Sequence, residues 1–466
     1  MAVAHGYPSK NFFINMLTRD IDLNDAILDL LDNCIDGVVR QKGKQNKSNQ
    51  KDFYKGFSAK ILIEPDSFTI EDNCGGIPYE DAQNYAFMMG NDNVDTTLPT
   101  VGVYGIGMKR AIFKIGTEAI VMSKTREKSF QVIIPAVWNK TTSWDFDLKE
   151  LDLSYQMEHF GTKIVITNLN EQIKSIWAAI KLDNFIDDLI RAIKHSYSLI
   201  IQKGFEIRVN GISVENKPIE LIFSKDNTGI RPYFYKKNFG EVEASLVVGF
   251  YSPIISQDEI DEGNESKRSS SDAGWTVICN DRVILYNDKS YATGWGEAGV
   301  PQYHTQFIGI RGVVTFTSNN AYLLPMTTTK RGIDLSSHIY AEIKNKMRDG
   351  LKLFTNYTNK WKGRVVEEKL NYEYITMVNA EDFMDTLKIF NIPLKNSRDE
   401  SSEFKPELPK PINDHNYIRI SFSKPEEAVD ILHKYYHDYT NEIPASSIGE
   451  KCFDEILKRA QMQIET

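Results

Sequence analysis

Two polar residues near the start of the chain have the types and the spacing to act on water and on a metal ion. Asp29 carries a carboxylate that can take a proton from water, and Asn33 carries an amide oxygen, a hard ligand suited to Mg²⁺. Apolar residues recur around them at three- and four-residue steps, which predicts a helix over residues 24–38. A base and a metal ligand would therefore share one face of that helix.

Two glycine-containing segments add groups that suit a nucleotide. Asp72 ends a predicted strand and precedes Gly75 and Gly76; its carboxylate can accept from an exocyclic amine, and the glycines let a flat ring approach the backbone. Residues 102–109 place three glycines at a predicted helix start, where free N–H groups suit phosphate oxygens and Lys109 adds charge. Each segment alone is common in turns and loops, but together and in this order they predict a nucleotide site.

The elements that must position these groups follow an α+β pattern. The first two hundred residues alternate predicted strands and amphipathic helices, and a second unit over residues 217–362 has further strands before a long helix that begins near Ser336. Three prolines among charged residues make 396–415 typical of a linker, and two Ser-x-x-Glu capping patterns after it predict a small helical domain.

Composition excludes several classes of protein. The 466 residues include 55 Lys and Arg against 64 Asp and Glu, a net charge of −9, so a surface uniformly basic for nucleic acid is excluded. With 41% hydrophobic residues the chain can build large cores, yet no run approaches the ~20 apolar residues of a membrane helix. The 4 cysteines show neither disulfide nor zinc spacing. We expect reduced thiols, a cytoplasmic location and no membrane partner.

The four segments together resemble the ordered motifs of the GHKL ATPase superfamily, most closely its MORC-like and MutL-like branch. The motifs are Asp25-Ala-Ile-Leu-Asp29-Leu-Leu-Asp-Asn33-Cys-Ile-Asp36, Glu71-Asp72-Asn-Cys-Gly-Gly76-Ile-Pro, Gly102-Val-Tyr-Gly105-Ile-Gly107-Met-Lys109 and Gly161-Thr162-Lys-Ile-Val-Ile. This resemblance implies a Bergerat fold, an α/β sandwich on a four-stranded mixed sheet, that binds and hydrolyses ATP with Mg²⁺.

The resemblance also implies roles for single residues. Asn33 would coordinate Mg²⁺, Asp72 would read the adenine amine, Gly76 would lie against the base, and Thr162 would hold the adenine end through water. The phosphates would meet a loop and helix start, with residues 90–104 as a lid; the ATP-binding residues of this part are Gly102, Gly105, Gly107, Met108 and Lys109.

Two departures from the family pattern affect these roles. The hydrolytic base is usually Glu, and Asp29 is one methylene shorter, so hydrolysis is expected to be slow. Cys74 stands where Gly is usual, which predicts an adenine turn shifted by one residue.

The second unit resembles a transducer domain, in which a lysine reaches the γ-phosphate. Pro325-Met-Thr-Thr-Thr-Lys330-Arg-Gly-Ile-Asp matches that loop, which makes Lys330 a catalytic candidate beside Asp29. The predicted domains are an ATPase domain (1–212), a transducer-like domain (213–365), a helical connector (366–395), the linker (396–415) and a helical C-terminal domain (416–466).

Two functions remain open. The first is an ATP-gated clamp that dimerises on ATP binding and works with a separate protein effector, as in prokaryotic defence or DNA processing. The alternative is a nucleotide-gated chaperone or scaffold for a protein partner. Basic and aromatic residues interleave over Lys344–Arg364, so nucleic acid is a candidate partner through phosphate contacts and stacking; the alternative there is a solvated helix face whose aromatic residues pack inward.

Overall fold

The computed structural model describes residues 9–43, 51–90, 98–102, 105–152, 157–226, 229–254, 270–327, 329–411, 420, 423–436 and 443–464. The helices of these ranges, numbered in chain order, are α1 Lys10–Arg19, α2 Leu23–Lys42, α3 Tyr79–Asp81, α4 Gly107–Ile115, α5 Glu171–Ile176, α6 Ala179–Ser196, α7 Ser198–Gln202, α8 His338–Trp361, α9 Val365–Glu368, α10 Phe383–Ile389, α11 Glu426–Tyr435 and α12 Ala445–Ile464. None of them is both long and apolar enough to cross a membrane.

The strands of the same ranges are β1 Ser58–Glu64, β2 Ser67–Asp72, β3 Gly116–Lys124, β4 Ser129–Ile134, β5 Asp147–Leu151, β6 Gly161–Leu169, β7 Glu206–Val209, β8 Ile212–Ser213, β9 Glu220–Ser224, β10 Tyr233–Phe239, β11 Val242–Phe250, β12 Gly274–Cys279, β13 Arg282–Asp288, β14 Ile310–Thr317, β15 Ile375–Asn379, β16 Lys395–Asn396 and β17 Ser401–Phe404.

The N-terminal domain is built on one mixed sheet with the order β5-β4-β3-β6-β2-β1-β7-β8. Strand β1 pairs with β2 antiparallel and with β7 in parallel. The described strands of this sheet number eight, so the expected four-stranded sheet is wrong: β4 and β5 extend one side and β7 and β8 the other.

Helix α2 lies against this sheet because its apolar stripe is fully buried. Ile27, Leu31 and Ile35 are fully buried and share a core with sheet residues such as Ile61 and with residues of α4. The helix ends at Lys42 and is capped by Gly43, whose φ of 63° suits glycine and whose N–H donates to the Val39 carbonyl. The opposite polar face of α2 is left to form the site.

The second domain is a mixed sheet with the order β13-β12-β14-β11-β10-β17-β16, against which α8 packs. Strands of this domain also lie in two segments that were predicted to be a helical connector and a linker. The expected connector, 366–395, contains strand β15, which pairs with β9. The expected linker, 396–415, contains the end of β16 and all of β17, which pairs with β10. Short strands such as β17 carry too few residues for a clear period-two pattern, so the prediction for this segment rested on its prolines and charges.

Helix α8 carries the basic and aromatic residues proposed above for nucleic acid. The aromatic side chains Phe354, Tyr357 and Trp361 are each at most 5% exposed and belong to the core of the second domain. The expected stacking on bases is therefore wrong, and the inward-packing alternative is what the fold contains. Three of the basic side chains pair with carboxylates of the same domain: Lys344 and Arg348 with Glu297, and Lys346 with Glu403.

Residues 412–466 form a separate compact unit, in which α11 and α12 are the described elements. The protein is thus α+β, with an N-terminal sheet domain, a second mixed sheet domain and C-terminal helices.

Candidate nucleotide-binding site

A cavity of about 500 Å³ lies on the polar face of α2, a size typical of small-molecule sites. Its walls come from α2, the end of β2, the start of α4, the segment Leu98–Gly102 and a loop of the second domain that carries Lys330. The structure brings Asp29, Asn33, Asp72, Gly102, Gly105, Gly107, Met108, Lys109, Thr162 and Lys330 to this one cavity.

Asp72 is held as a fixed hydrogen-bond acceptor in the cavity wall. Its Oδ1 accepts the backbone N–H of Cys74 at 2.7 Å and that of Thr162 at 3.2 Å. Burial raises the pKa of this carboxyl, while the Cys74 and Thr162 N–H groups oppose the rise. Gly161 lets β6 come this close, since a Cβ there would lie 1.8 Å from the Asp72 carbonyl oxygen. Such an acceptor suits an adenine amine, and Thr162 contributes to it through its backbone.

Gly76 is placed differently from the expectation. It has a φ of 76°, and a Cβ on it would lie 2.5 Å from the carbonyl oxygen of Lys124 on β3. Gly76 is absent from the described residues that line the cavity, whereas Ile77 and Pro78 belong to them. Glycine is needed here for close approach to β3, and the contact of Gly76 with a base stays a prediction. Cys74 is buried against α2, where a Cβ on Gly37 would lie 2.8 Å from its carbonyl oxygen.

Asn33 is an exposed residue on the cavity side of α2, and within the described part of the chain its amide has no hydrogen-bond partner. Its oxygen is therefore available to a hard cation. No group of three or more His, Cys, Asp or Glu residues among those described could hold a metal. Asn33 thus fits Mg²⁺ as a partial ligand set, which the phosphate oxygens of a nucleotide would complete.

Asp36 holds the glycine loop, a role that sequence reasoning did not assign. Its two carboxylate oxygens accept the backbone N–H groups of Val101 at 2.6 Å and Gly102 at 2.7 Å. The N–H of Gly102 is consequently used inside the protein in this structure, and its contact with a phosphate stays a prediction. The signal was present in the sequence, since Asp36 follows Asn33 on the same helix face as Asp29.

The remaining phosphate candidates surround the start of α4. Gly105 has a φ of 64°, and Gly107 begins the helix. Lys109 is buried, and its Nζ donates to the carbonyl oxygens of Ala86, at 2.9 Å, and Gly105. Burial lowers the pKa of Lys109 to about 8. Its ammonium lies in the wall of the cavity without a carboxylate partner among the described residues, so it can serve an anion. Of the expected lid, residues 91–97 and 103–104 lie outside the described ranges.

Asp29, the expected base, is paired with two cations. Its Oδ2 accepts from Arg110, with Nε at 3.0 Å, and its Oδ1 lies 3.9 Å from the Nζ of Lys330. Burial raises the pKa of Asp29, and the charges of Lys330 and Arg110 lower it. The sequence analysis did not identify Arg110 as a site residue. Its position next to Lys109, just after the glycine loop, was the sequence feature that pointed to it.

Asp32 joins the two domains at the cavity. It accepts from Tyr197 at 2.7 Å, from Nε of Arg282 at 2.9 Å and from Nζ of Lys330 at 2.8 Å. Burial opposes the charge of Asp32, but the cations of Lys330 and Arg282 prevail and lower its pKa to about 2. Lys330 thus enters the cavity as predicted, with Asp32 as its partner.

Residues 21–162 match a family model described as "Histidine kinase-, DNA gyrase B-, and HSP90-like ATPase". The match begins just before α2 and ends at Thr162, so it contains the described cavity residues of the N-terminal domain except Ile164. No curated protein matches the chain significantly. GHKL ATPases bind ATP with Mg²⁺, and the donor set at Asn33, Asp72 and Lys109 fits both. The chain therefore carries an N-terminal ATP-binding ATPase domain of the GHKL type.

Proposed function

We propose that this protein is a slow, Mg²⁺-dependent ATPase that works as a nucleotide-gated dimeric clamp, similar to the MORC-like and MutL-like branch. Two copies associate when ATP is bound and separate after hydrolysis. A separate effector, such as one of a prokaryotic defence or DNA-processing system, is the proposed protein partner.

The observation that carries this proposal is the position of Lys330. This residue belongs to the second domain, yet its Nζ lies 2.8 Å from Asp32 and 3.9 Å from Asp29 on helix α2. Its side chain is 10% exposed, so the contact is largely desolvated. A group that links the two domains at the proposed nucleotide site can make their relative position depend on the nucleotide.

The charges around Asp29 suggest how hydrolysis would be controlled. While Arg110 and Lys330 pair with Asp29, its lone pairs are engaged and it is a poor base. A terminal phosphate competes for both cations, so ATP would free Asp29 and ADP would not. Asp29 then takes the proton of a water whose oxygen attacks the terminal phosphorus, and the bond to the ADP oxygen breaks.

The same exchange would supply the free energy for closure. Moving a domain equilibrium by a factor of ten requires about 1.4 kcal/mol of differential binding, less than a charge-assisted hydrogen bond typically provides. Asp32 keeps Arg282 and Tyr197 when Lys330 leaves, so the departure does not leave the Asp32 carboxylate unpaired.

A second candidate is a chaperone or scaffold for a protein partner. The C-terminal unit favours it, because its two described helices expose Ile431 and Tyr435 on α11 and Phe453 and Ile456 on α12 by 52% or more. Apolar side chains at helical spacing on a surface are typical of protein contacts.

The test compares the parent with Lys330→Ala, each with a non-hydrolysable ATP analogue and with ADP. Scattering should show a dimer only for the parent with the ATP analogue, while Lys330→Ala binds nucleotide almost normally and stays open. Lys388→Ala, an exposed lysine of the same domain, is the matched control and should behave like the parent. Identical mass and shape in every sample would rule out the clamp; capture of a protein partner by that unchanging monomer would favour the scaffold.

A further inference from the structure

A hairpin of the second domain ends inside the N-terminal domain. Strands β12 and β13 are joined by Asn280 and Asp281, whose φ values of 48° and 70° are both left-handed, as a tight hairpin turn requires. The tip of this hairpin, Asn280, Asp281 and Arg282, is at most 6% exposed. A surface turn would be hydrated, so the burial indicates that these polar residues serve a contact.

Asn280 holds one wall of the nucleotide cavity. Its Nδ2 donates to the carbonyl oxygens of Thr100 at 3.0 Å and Ser318 at 2.9 Å, and its Oδ1 accepts the N–H of Ser318 at 3.0 Å. Two carbonyl partners and one N–H partner fix the orientation of the amide. Thr100 belongs to the cavity-lining segment Leu98–Gly102.

That segment is fixed from both domains. The carbonyl of Thr100 is held by Asn280, and the N–H groups of the next two residues, Val101 and Gly102, are held by Asp36 of α2. The segment therefore lies between a helix of the N-terminal domain and the hairpin tip of the second. The position of this segment in the cavity wall therefore depends on the position of the hairpin tip.

The rest of the tip fixes its position. Asp281 accepts from the hydroxyl of Tyr54 at 3.0 Å and from Nζ of Lys203 at 2.8 Å, both in the N-terminal domain. Arg282 donates to Asp32 at 2.9 Å. These contacts are desolvated, and breaking one leaves a buried group unpaired, so the tip and the cavity wall move together.

We propose that Asn280 is a positioning residue of the nucleotide site, through which the second domain sets the affinity of the cavity for ATP. This inference rests on the proposed function of the cavity, but the contact it invokes is separate from that of Lys330. Lys330 responds to the terminal phosphate, whereas Asn280 holds a wall that ATP and ADP would both meet.

The experiment uses two variants of the full chain. Asn280→Gly removes the amide and tolerates the left-handed backbone; Asn280→Asp keeps the acceptor for Ser318 and places an acceptor opposite the Thr100 carbonyl. The control is Asn391→Gly, the same replacement at another left-handed residue, with a φ of 51° and an exposed side chain. Each protein is titrated with a non-hydrolysable ATP analogue and with ADP, and hydrogen exchange is measured without nucleotide.

Asn280→Gly should lower the affinity for the ATP analogue and for ADP alike by about five- to tenfold, the effect of losing one or two net hydrogen bonds. Asn280→Asp should lower both affinities by more. The amides of Val101 and Gly102 should exchange faster, while those of strand β14 keep their parental rates. Unchanged affinity and exchange in both variants would overturn the proposal, as would exchange that rises throughout the second domain. If the parent binds neither nucleotide, the proposed function fails, and the exchange at Val101 and Gly102 still decides whether Asn280 holds the wall.

Discussion

Asp72→Asn gives the sharpest test of nucleotide binding, because it changes the ligand-facing chemistry with little change to the fold. The Oδ1 of Asp72 accepts two backbone N–H groups, and an asparagine Oδ1 can accept the same two. Burial raises the pKa of Asp72, so removing the charge relieves a desolvation cost. We expect the free energy of unfolding to change by less than about 1 kcal/mol.

The effect on binding should be much larger. A hydrogen bond to a charged acceptor contributes about 1.5–3 kcal/mol, and the variant also turns an amide donor toward the adenine amine. At about 1.4 kcal/mol per tenfold change, affinity for an ATP analogue should fall by about 100-fold or more. Guanine presents a carbonyl where adenine has its amine, so the affinity ratio of ATP to GTP analogues should fall as well.

Calorimetric titration of the full chain with both analogues measures these ratios. Glu71→Gln is the matched control, because it makes the same carboxylate-to-amide change one residue earlier, at a half-exposed side chain paired with Lys163 at 3.1 Å. Its affinity should stay within about threefold of the parent, in line with the small energy of a surface ion pair. An Asp72→Asn protein that is folded and binds the ATP analogue like the parent would refute the assignment of this carboxylate.

Three further predictions follow from the site. Asp29→Asn should bind ATP and lose turnover, whereas Asp29→Glu should hydrolyse ATP faster because its carboxylate has the longer side chain usual at this position. Steady-state phosphate release tests both variants, and parental turnover in Asp29→Asn would place the base elsewhere. Because the pKa of Lys109 is lowered to about 8, its side chain is charged below that pH and neutral above it, so ATP affinity should fall as pH rises from 7 to 9. Binding should also be accompanied by proton uptake, which Lys109→Met should abolish. A calorimetric series in which affinity does not change with pH would contradict this. Gly161→Ala should lower the free energy of unfolding, measured in urea, by about 1–3 kcal/mol, because the added Cβ would lie 1.8 Å from the Asp72 carbonyl oxygen. Parental stability would contradict that packing.

Local patterns in the sequence were enough to predict the components of the site. The helix period placed Asp29, Asn33 and Asp36 on one face of α2, and the turn after β2 and the glycines before α4 identified the loops that flank the cavity. These features depend on backbone geometry within a few residues, which amino-acid type and spacing encode directly. The resemblance of the motifs also predicted that Lys330 would reach the same cavity.

The partners of these groups were decided by tertiary structure alone. The pairs Asp29 with Arg110, Asp32 with Lys330 and Asn280 with Thr100 join residues 81, 298 and 180 positions apart. Whether a charged group is solvated, paired or able to act as a base depends on which surfaces pack together and on how much water they exclude. The local spacing of residues in the sequence determines neither of these. For the same reason Gly76 packs against β3 and the aromatic residues of α8 face a core, although their sequence patterns equally suited a ligand.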